Sequence, residues 1–442
     1  MTFKYLKFQK NPLPNEKKLL ESIDLSFDKV KLYGLLKKKI KIKKSEIIIS
    51  KQIFQISKNR KIYVVAFGKM ANRMIACAYK LFYNIKNVKY FLISNKIEKS
   101  ISKKIISYRS QHPVPGKLAL KATKKLVEFL KKTEKNSILI FLVSGGGSSM
   151  LAYPIRGVSI NEKIRLTKKL FSLNTEPKYL NYFRMALSRV KNGGLLRDIK
   201  TNHIFNFFVS DENEDKIEIL SSGPTVNRQA QLRKKILNFL SKNKYARKLI
   251  GKKNYFEINK NLNFNKTNKR TYNSILLKNF DFIKILKKEI QTKQKVDILV
   301  SKKFYFGDYE KNLKKIEKIL KFVDEKKKKI IYIFGCQIET PMEAKSEKKL
   351  GGRLQHITAE LLIRSNFKNV KIVSIATDGQ DYNSNVFGTL IDFSKKYNKK
   401  KISSYIKKKN TKNFHIKNKS LITSKKNINL NLKDIIIIYN FS

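Results

Sequence analysis

The chain has no tryptophan, two cysteines, four histidines and only 17 glycines in 442 residues, and its 33 acidic residues face 98 lysines and arginines. Each scarcity excludes something. Cys77 and Cys336 show no metal-ligand spacing and make no disulfide framework, which implies a reducing, cytoplasmic setting. His112, His203, His356 and His415 are too scattered to propose a metal cluster. No run reaches eighteen uncharged apolar residues, so no membrane span is expected. The opening stretch MTFKYLKFQKNPLPNEKK lacks the apolar core of a signal peptide. No repeat appears at the periods typical of solenoids.

What is present is an apolar fraction of 41%, with 28 Phe and 20 Tyr, enough for packed cores and unlike a disordered chain. The formal charge of +65 suggests nucleic-acid or anionic-membrane binding at first sight. Lysine, however, greatly outnumbers arginine and is spread along the whole length, while Asn, Ile, Phe and Tyr are inflated with it, as AT-rich codon usage would produce. Evolved nucleic-acid sites concentrate arginine with stacking aromatics. The charge is therefore expected to be diffuse, and any nucleic-acid affinity weak and lost steeply with salt.

Against this background three glycines stand together in FLVSGGGSSMLAYP, directly after the apolar run SILIFLV. A glycine cluster that follows a buried strand permits positive φ and close backbone approach to a ligand. Strand–turn–helix patterns recur around it. Residues 61–67 read as a strand, Gly68-Lys69 as a turn, and Met70, Met74 and Ala78 as one face of a helix. Residues 88–94 form a second strand. Residues 116–132 form an amphipathic helix with Leu118, Ala122, Leu126 and Leu130 inward, and 138–143 form a third strand. A further strand ends at Ser210-Asp211, and later ones fall at 296–301, 328–335, 370–379 and 434–440. Such alternation argues for a mostly parallel sheet covered by helices, with ligands beyond the carboxyl ends of its strands. The basic stretch at about 395–430 reads as exposed loop and solvated helix.

The candidate chemistry lies at those strand ends. Amides and hydroxyls of Ser144, Gly145, Gly146, Gly147, Ser148 and Ser149 could cradle a carboxylate or phosphate, or simply make a tight turn. The loop is no Walker motif, because no Gly-Lys-Ser/Thr follows, and it is no nucleophile elbow in register. Lys69 offers a point charge, or is solvated. Arg353 in LGGRLQH is more informative, since arginine is scarce and its planar fork suits phosphate or carboxylate oxygens; the alternative is a helix cap. Asp211, with Glu212, Glu214 and Asp215, and Asp378 with Asp381 are strand-end carboxylates. They suit Mg²⁺, or else Asp-Gly turns and N-caps.

Taken together, the motifs resemble those of the glycerate 2-kinase family, whose older name was hydroxypyruvate reductase. They are Gly68-Lys69, QHPVPG at 111–116, VSGGGSSMLAYP, NYFRMALSRVKNGGLL at 181–196, Ser210-Asp211, Ser222-Gly-Pro-Thr225, Gly-Gly-Arg-x-Gln at 351–355 and Thr-Asp-Gly-x-Asp at 377–381. The match is collinear from about residue 15 onward. The resemblance implies two α/β domains with a cleft. The first is a Rossmann-like, doubly wound N-terminal glycerate-kinase domain over 1–227. A basic helix and linker follow over 228–270, then a smaller α/β domain of the MOFRL type over 271–442. It implies ATP- and Mg²⁺-dependent phosphorylation of the 2-hydroxyl of D-glycerate, with Lys69 and Arg353 as catalytic cations facing one cleft. Gly68, Arg184, Lys191, Gly223, Thr225, Gly352 and Thr377 join the glycine loop as substrate- or nucleotide-binding residues, and Asp211, Asp378 and Asp381 are the candidate Mg²⁺ ligands. The expected partners are ATP and a small hydroxy acid, with no membrane and a homodimer possible. The chain departs from the family pattern at Ala186, Gln337, Leu354, His356 and Tyr382, which points to an altered acceptor or to lost activity. The competing readings are an NAD(P)-linked reductase, which lacks a G-x-G-x-x-G fingerprint here, and a non-catalytic nucleic-acid binder.

Overall fold

The structure, a computed structural model, describes residues 3–9, 12–171, 177–211, 216–226, 230–263, 269–340, 350–381, 386–424 and 429–441. The chain divides into two compact units, one of Leu32–Leu277 and one of Met1–Lys31 with Lys278–Ser442. These divisions differ from the sequence boundaries at 227 and 270 for two physical reasons. The strand Leu6–Phe8 pairs antiparallel with Leu421–Ser424, and the helix Pro14–Lys29 packs on Asn279–Lys293, so the first 31 residues complete the C-terminal unit. The expected linker is instead the helices Ala230–Lys242 and Lys244–Asn263. Their Ile236, Phe239, Leu240, Ile250 and Ile258 form one apolar cluster with Ile155, Phe183 and Leu187.

The unit Leu32–Leu277 is built on six parallel strands in the spatial order Thr271–Leu277, His203–Val209, Ile138–Ser144, Ile62–Phe67, Val88–Ser94, Ile105–Arg109. Numbered along the chain and read from the Ile105–Arg109 edge, that order is 3-2-1-4-5-6, the doubly wound arrangement. The central strands Ile62–Phe67 and Ile138–Ser144 are buried at every residue, as continuous apolar runs in a sheet covered on both faces should be. On Lys117–Lys131 the inward face is Ala119, Ala122, Leu126 and Leu130; Leu118 is exposed, so the expected stripe is shifted by one residue at its start. A short antiparallel meander, Ile40–Ile42, Glu46–Ile49 and Gln52–Gln55, precedes the first central strand.

The other unit is α/β but not mostly parallel. Its sheet runs Leu6–Phe8, Leu421–Ser424, Val386–Asp392, Lys371–Ala376, Asp434–Asn440, Ile330–Ile338, Asp297–Val300, antiparallel up to Ile330–Ile338 and parallel beyond it. The connection from Lys371–Ala376 to Val386–Asp392 is too short for a crossover, so the two strands pair antiparallel. The segment expected to be solvated contains the helices Lys399–Lys407 and Thr411–Lys417 and buries Ile402, Phe414 and His415. The His415 ring contacts the Gln355 carbonyl oxygen at 2.8 Å and Ser420 Oγ at 2.8 Å. Among the described residues no helix is long and apolar enough to cross a membrane.

The N-terminal helix is thus a core element of the C-terminal unit. Leu20→Ala, at a fully buried position, should cost about 2–5 kcal/mol. Hydrogen exchange should then rise in Pro14–Lys29, Asn279–Lys293 and the sheet that includes Asp434–Asn440, while the parallel sheet around Ile62–Phe67 keeps its protection.

Candidate active site

In a doubly wound sheet, ligands bind where the strand order reverses, beyond the carboxyl ends of the two strands that diverge there. Here those strands are Ile62–Phe67 and Ile138–Ser144. The first ends in Gly68-Lys69 and the second runs into Ser144–Ser149, so the two loops singled out in the sequence flank one switch point. They touch directly. The Lys69 amide donates to the Gly145 carbonyl at 2.9 Å, and the Met70 amide donates to Ser144 Oγ at 2.9 Å. Gly68 has φ +110°, and a Cβ there would lie 2.4 Å from the Ser144 carbonyl oxygen, so no other residue fits this approach. Lys69 itself is half-buried. The glycine loop turns through a left-handed Gly146 into a single helical turn, Gly147–Met150.

The other family-like motifs brace this loop. Ser221 Oγ donates to the Ser144 carbonyl at 2.7 Å, and the Ser222 and Ser148 hydroxyls bond at 2.7 Å. Ser222 also reaches Asn181 Oδ1 at 2.5 Å. Gly223 accepts from the Gly193 amide at 2.7 Å, which ties the Ser-Ser-Gly-Pro-Thr turn to the Lys-Asn-Gly-Gly turn. Thr225 is fully buried, its carbonyl bonded by Asn206. Lys191 donates to both the carbonyl and the hydroxyl of Ser148, so it holds the loop from beneath. His112 also belongs here. Ser149 Oγ donates to the Gly146 carbonyl at 3.1 Å and lies 2.7 Å from His112 Nδ1. A hydroxyl has one proton to give, so Nδ1 is the donor of that pair.

Beneath the loop lie three buried basic side chains. Lys163, Arg184 and Lys191 are buried, and burial is the main cause that lowers the pKa of each, Lys163 to about 7 and Arg184 to about 10. They also lower one another: Arg184 acts on Lys163, and both act on Lys191. Lys163 Nζ donates to the Leu187 carbonyl at 3.2 Å. Sequence reasoning found Arg184 and Lys191 but missed Lys163. Its signal was its place on the inward face of Ile160–Phe171 with Leu166 and Thr167, and ubiquitous lysine hides that signal.

In the C-terminal unit, Arg353 is the first residue of the helix Arg353–Arg364 and keeps 31% of its side chain exposed. Its Nη2 donates to Asp434 Oδ2 at 3.1 Å. Asp381 has a different task from the metal binding expected of it. Its Oδ1 accepts from the Leu354 amide at 3.1 Å, and its Oδ2 from the Gln355 amide and side chain at 3.0 and 2.9 Å. It caps the helix, and a Cβ on Gly352 would lie 2.1 Å from its carboxyl carbon. Thr377 is buried and bonds the Lys433 carbonyl at 2.6 Å and the Leu432 amide at 2.8 Å, which makes it a brace. Asp378 accepts from the Gln380 amide at 3.3 Å. Asp434, absent from the sequence-based site, is pushed up to about 6, first by burial and further by Asp381 and Asp378, against the pull of Arg353 and Lys433.

Among the described residues no group of three or more His, Cys, Asp or Glu gathers to hold a metal. Mg²⁺ needs only one or two carboxylates beside phosphate oxygens and water. Asp211 and Asp378, at strand ends, fit that requirement; Asp381, with both oxygens engaged by amides, does not. Glu212, Glu214, Asp215 and Tyr382 lie outside the described residues.

A doubly wound sheet with a glycine loop and a lysine at its switch point, and in the other unit an arginine at a helix start, fit an α/β enzyme of the phosphotransferase class. Residues 18–252 match the family described as a domain of unknown function, DUF4147. The chain is 26% identical over 393 residues to a glycerate 2-kinase of Picrophilus torridus, covering 86% of this chain and 88% of that one. It is 30% identical over 374 residues to the glycerate 2-kinase of Sulfurisphaera tokodaii, covering 81% and 85%. The crystal structure of a glycerate kinase from Thermotoga maritima shares the fold, with a TM-score of 0.74 at 23% identity over 97% of this chain and all of that one. The chain belongs to the glycerate 2-kinase family.

The buried lysine has a measurable cost. Its pKa of about 7 lies below the ordinary 10.5, so the unfolded chain binds the proton more tightly. The penalty is full below pH 7 and is relieved as pH rises towards 10.5. Lys163→Met should therefore raise the melting temperature at pH 6, by roughly 2–4 °C for each kcal/mol relieved in a unit of this size. The gain should be smaller at pH 9.5. Equal shifts at both pH values would contradict a desolvated ammonium at this position.

Proposed function

We propose that the chain is an ATP- and Mg²⁺-dependent kinase that phosphorylates the 2-hydroxyl of D-glycerate or a related small hydroxy or sugar acid, working in the cytoplasm. The observation that carries this reading is the pairing of Gly68-Lys69 with Ser144–Gly145 across the switch point of the parallel sheet. Phosphoryl transfer asks a protein for positioning and positive charge rather than covalent chemistry. Lys69 supplies a point charge at the switch point. Arg353 supplies a planar fork on the first residue of its helix. The hydroxyls and amides of Ser144–Ser149 would bind the anionic end of the acceptor, with Lys191 fixing the loop and Arg184 and Lys163 adding positive potential beneath it. Asp211 or Asp378 would hold Mg²⁺, which when bound neutralises phosphate charge.

The reductase alternative is disfavoured by a specific feature. The first strand–helix turn reads Phe67-Gly68-Lys69-Met70, without the second and third glycines that let a dinucleotide pyrophosphate approach. Nucleic-acid binding has in its favour only lysines spread along the whole sequence.

ADP release measured with ATP, Mg²⁺ and a panel of hydroxy acids tests the reading. D-glycerate or a close analogue should give turnover, and no ADP from any acid with folded protein would remove it. Arg353→Lys should lower kcat about 100-fold or more, because a point charge cannot replace a fork preorganised for the transition state. KM for ATP should change less. Full kcat in that variant would remove Arg353 from the chemistry.

A further inference from the structure

The chain starts its last strand with a charge. Asp434 opens Asp434–Asn440, whose next four residues, Ile435 to Ile438, are core. Its register partners are Ala376, the last residue of Lys371–Ala376, and Cys336, near the end of Ile330–Ile338. An aspartate is thus built into the carboxyl-end edge of two neighbouring strands, with a side chain only 5% exposed. Three separate contacts hold the backbone there. Asn279 Nδ2 donates to the Leu432 carbonyl at 2.7 Å and to the Asp434 carbonyl at 3.4 Å, and Thr377 Oγ1 bonds the Lys433 carbonyl at 2.6 Å.

We infer that Asp434 is the positioning residue for Arg353: its carboxylate takes Nη2 and sets where the guanidinium points, while Asp381 sets where the helix that carries Arg353 begins. The inference rests on the proposed role of Arg353 in phosphoryl transfer. Two carboxylates divide the task. Asp381 spends both oxygens on the amides of Leu354 and Gln355 and the Gln355 side chain. It fixes the backbone of the first turn. The arginine side chain is long and rich in rotamers. A fork that must be ordered during each turnover loses part of its effect; a fork already held loses less.

Stability alone does not explain the pair. A buried ion pair is weak evidence for stability, because an apolar pair of similar volume is often as stable or more so. The neighbours make the carboxylate still more costly, since the burial of Asp434 and the charges of Asp381 and Asp378 all raise its pKa. Arg353 is also not sealed in the core, with nearly a third of its side chain exposed. The arrangement is an anchored, partly accessible guanidinium at a strand-end edge, the geometry of a held ligand-binding fork.

A double-mutant cycle tests this. Asp434→Asn, which keeps the shape and removes the charge, should lower kcat on the order of 10- to 100-fold with little change in KM. In the Arg353→Lys background the same substitution should cost almost nothing further, because Asp434 acts only through the fork. Asp434→Glu keeps the charge and displaces it by one methylene. It should retain the melting temperature of the wild type and still lose kcat, and it decides the question if Asp434→Asn fails to fold. Unchanged kcat in both Asp434 variants, with Arg353→Lys impaired, would overturn the inference and leave the kinase reading intact. Equal losses with and without Arg353 would also overturn it. Full activity in Arg353→Lys would instead remove the reading on which the inference stands.

Discussion

The hydrogen bond from the Lys69 amide to the Gly145 carbonyl spans two loops separated by more than seventy residues, and the rest of the parallel unit is arranged so that it can form. The bond needs the strands Ile62–Phe67 and Ile138–Ser144 side by side and parallel, with the chain leaving them in opposite directions across the sheet. It needs positive φ at Gly68, since a side chain there would strike Ser144. It also needs the glycine loop held from its far side by Ser221, Ser222 and Lys191. The motifs at 144–149, 181–196 and 222–225 therefore form one object. Each is unremarkable alone, and each supplies the bond that another lacks.

The two units bury opposite charges for a related purpose. Beneath the glycine loop, burial lowers the pKa values of Lys163, Arg184 and Lys191. Around Arg353, burial raises those of Asp381 and Asp434 and the nearby Cys336 thiol. Desolvating either sign costs free energy, and a core of leucines would avoid that cost. In both places the buried charges sit under strand-end loops and hold backbone or guanidinium in place. A chain with 98 cations has no need of further positive charge at its surface. What it lacks is charge in fixed positions, and burial provides that.

Where the fold was legible in the sequence, the reason is periodicity. Buried strands are continuous apolar runs, and the parallel Val88–Ser94 and the antiparallel Asp434–Asn440 fall where those runs do. The turns were legible because glycine is scarce. The residues that escaped did so for identifiable reasons. Lys163 is one lysine among many, and nothing local separates it from its solvated neighbours on Ile160–Phe171. Asp434 precedes an isoleucine run and looks like the polar boundary of a strand; only the pairing with Arg353, 81 residues away, gives it meaning. Asn279, Thr377 and Asp434 meet through backbone carbonyls that no side-chain pattern encodes. The assignment of the first 31 residues to the distant unit depends on long-range pairing with Leu421–Ser424, which local propensity does not report. The phase error at Leu118 has the opposite cause: lysine-spaced apolar residues admit two helical faces, and packing selected the one with Ala119.

The same geometry bears on the departures from the family pattern. Leu354 offers Asp381 its amide, a contact indifferent to the side chain, while the leucine itself is fully buried in the apolar cluster with Ile357 and Leu361. His356 lies one turn inward, lowered to about 4 by burial and beside the Tyr309 ring, so it is neutral and part of the packing. Ala186 sits in the cluster with Phe183, Met185 and Leu187. Three of the altered positions are therefore absorbed by cores. A chain that had lost its activity would be under no constraint to keep Gly68 against Ser144, Asp381 on its helix cap or Asp434 on its guanidinium, each of which carries a steric or desolvation cost. All three costs remain while the nearby substitutions fall where packing can accommodate them. That distribution leaves the contacts of Gly68, Asp381 and Asp434 intact while packing takes up the changed positions.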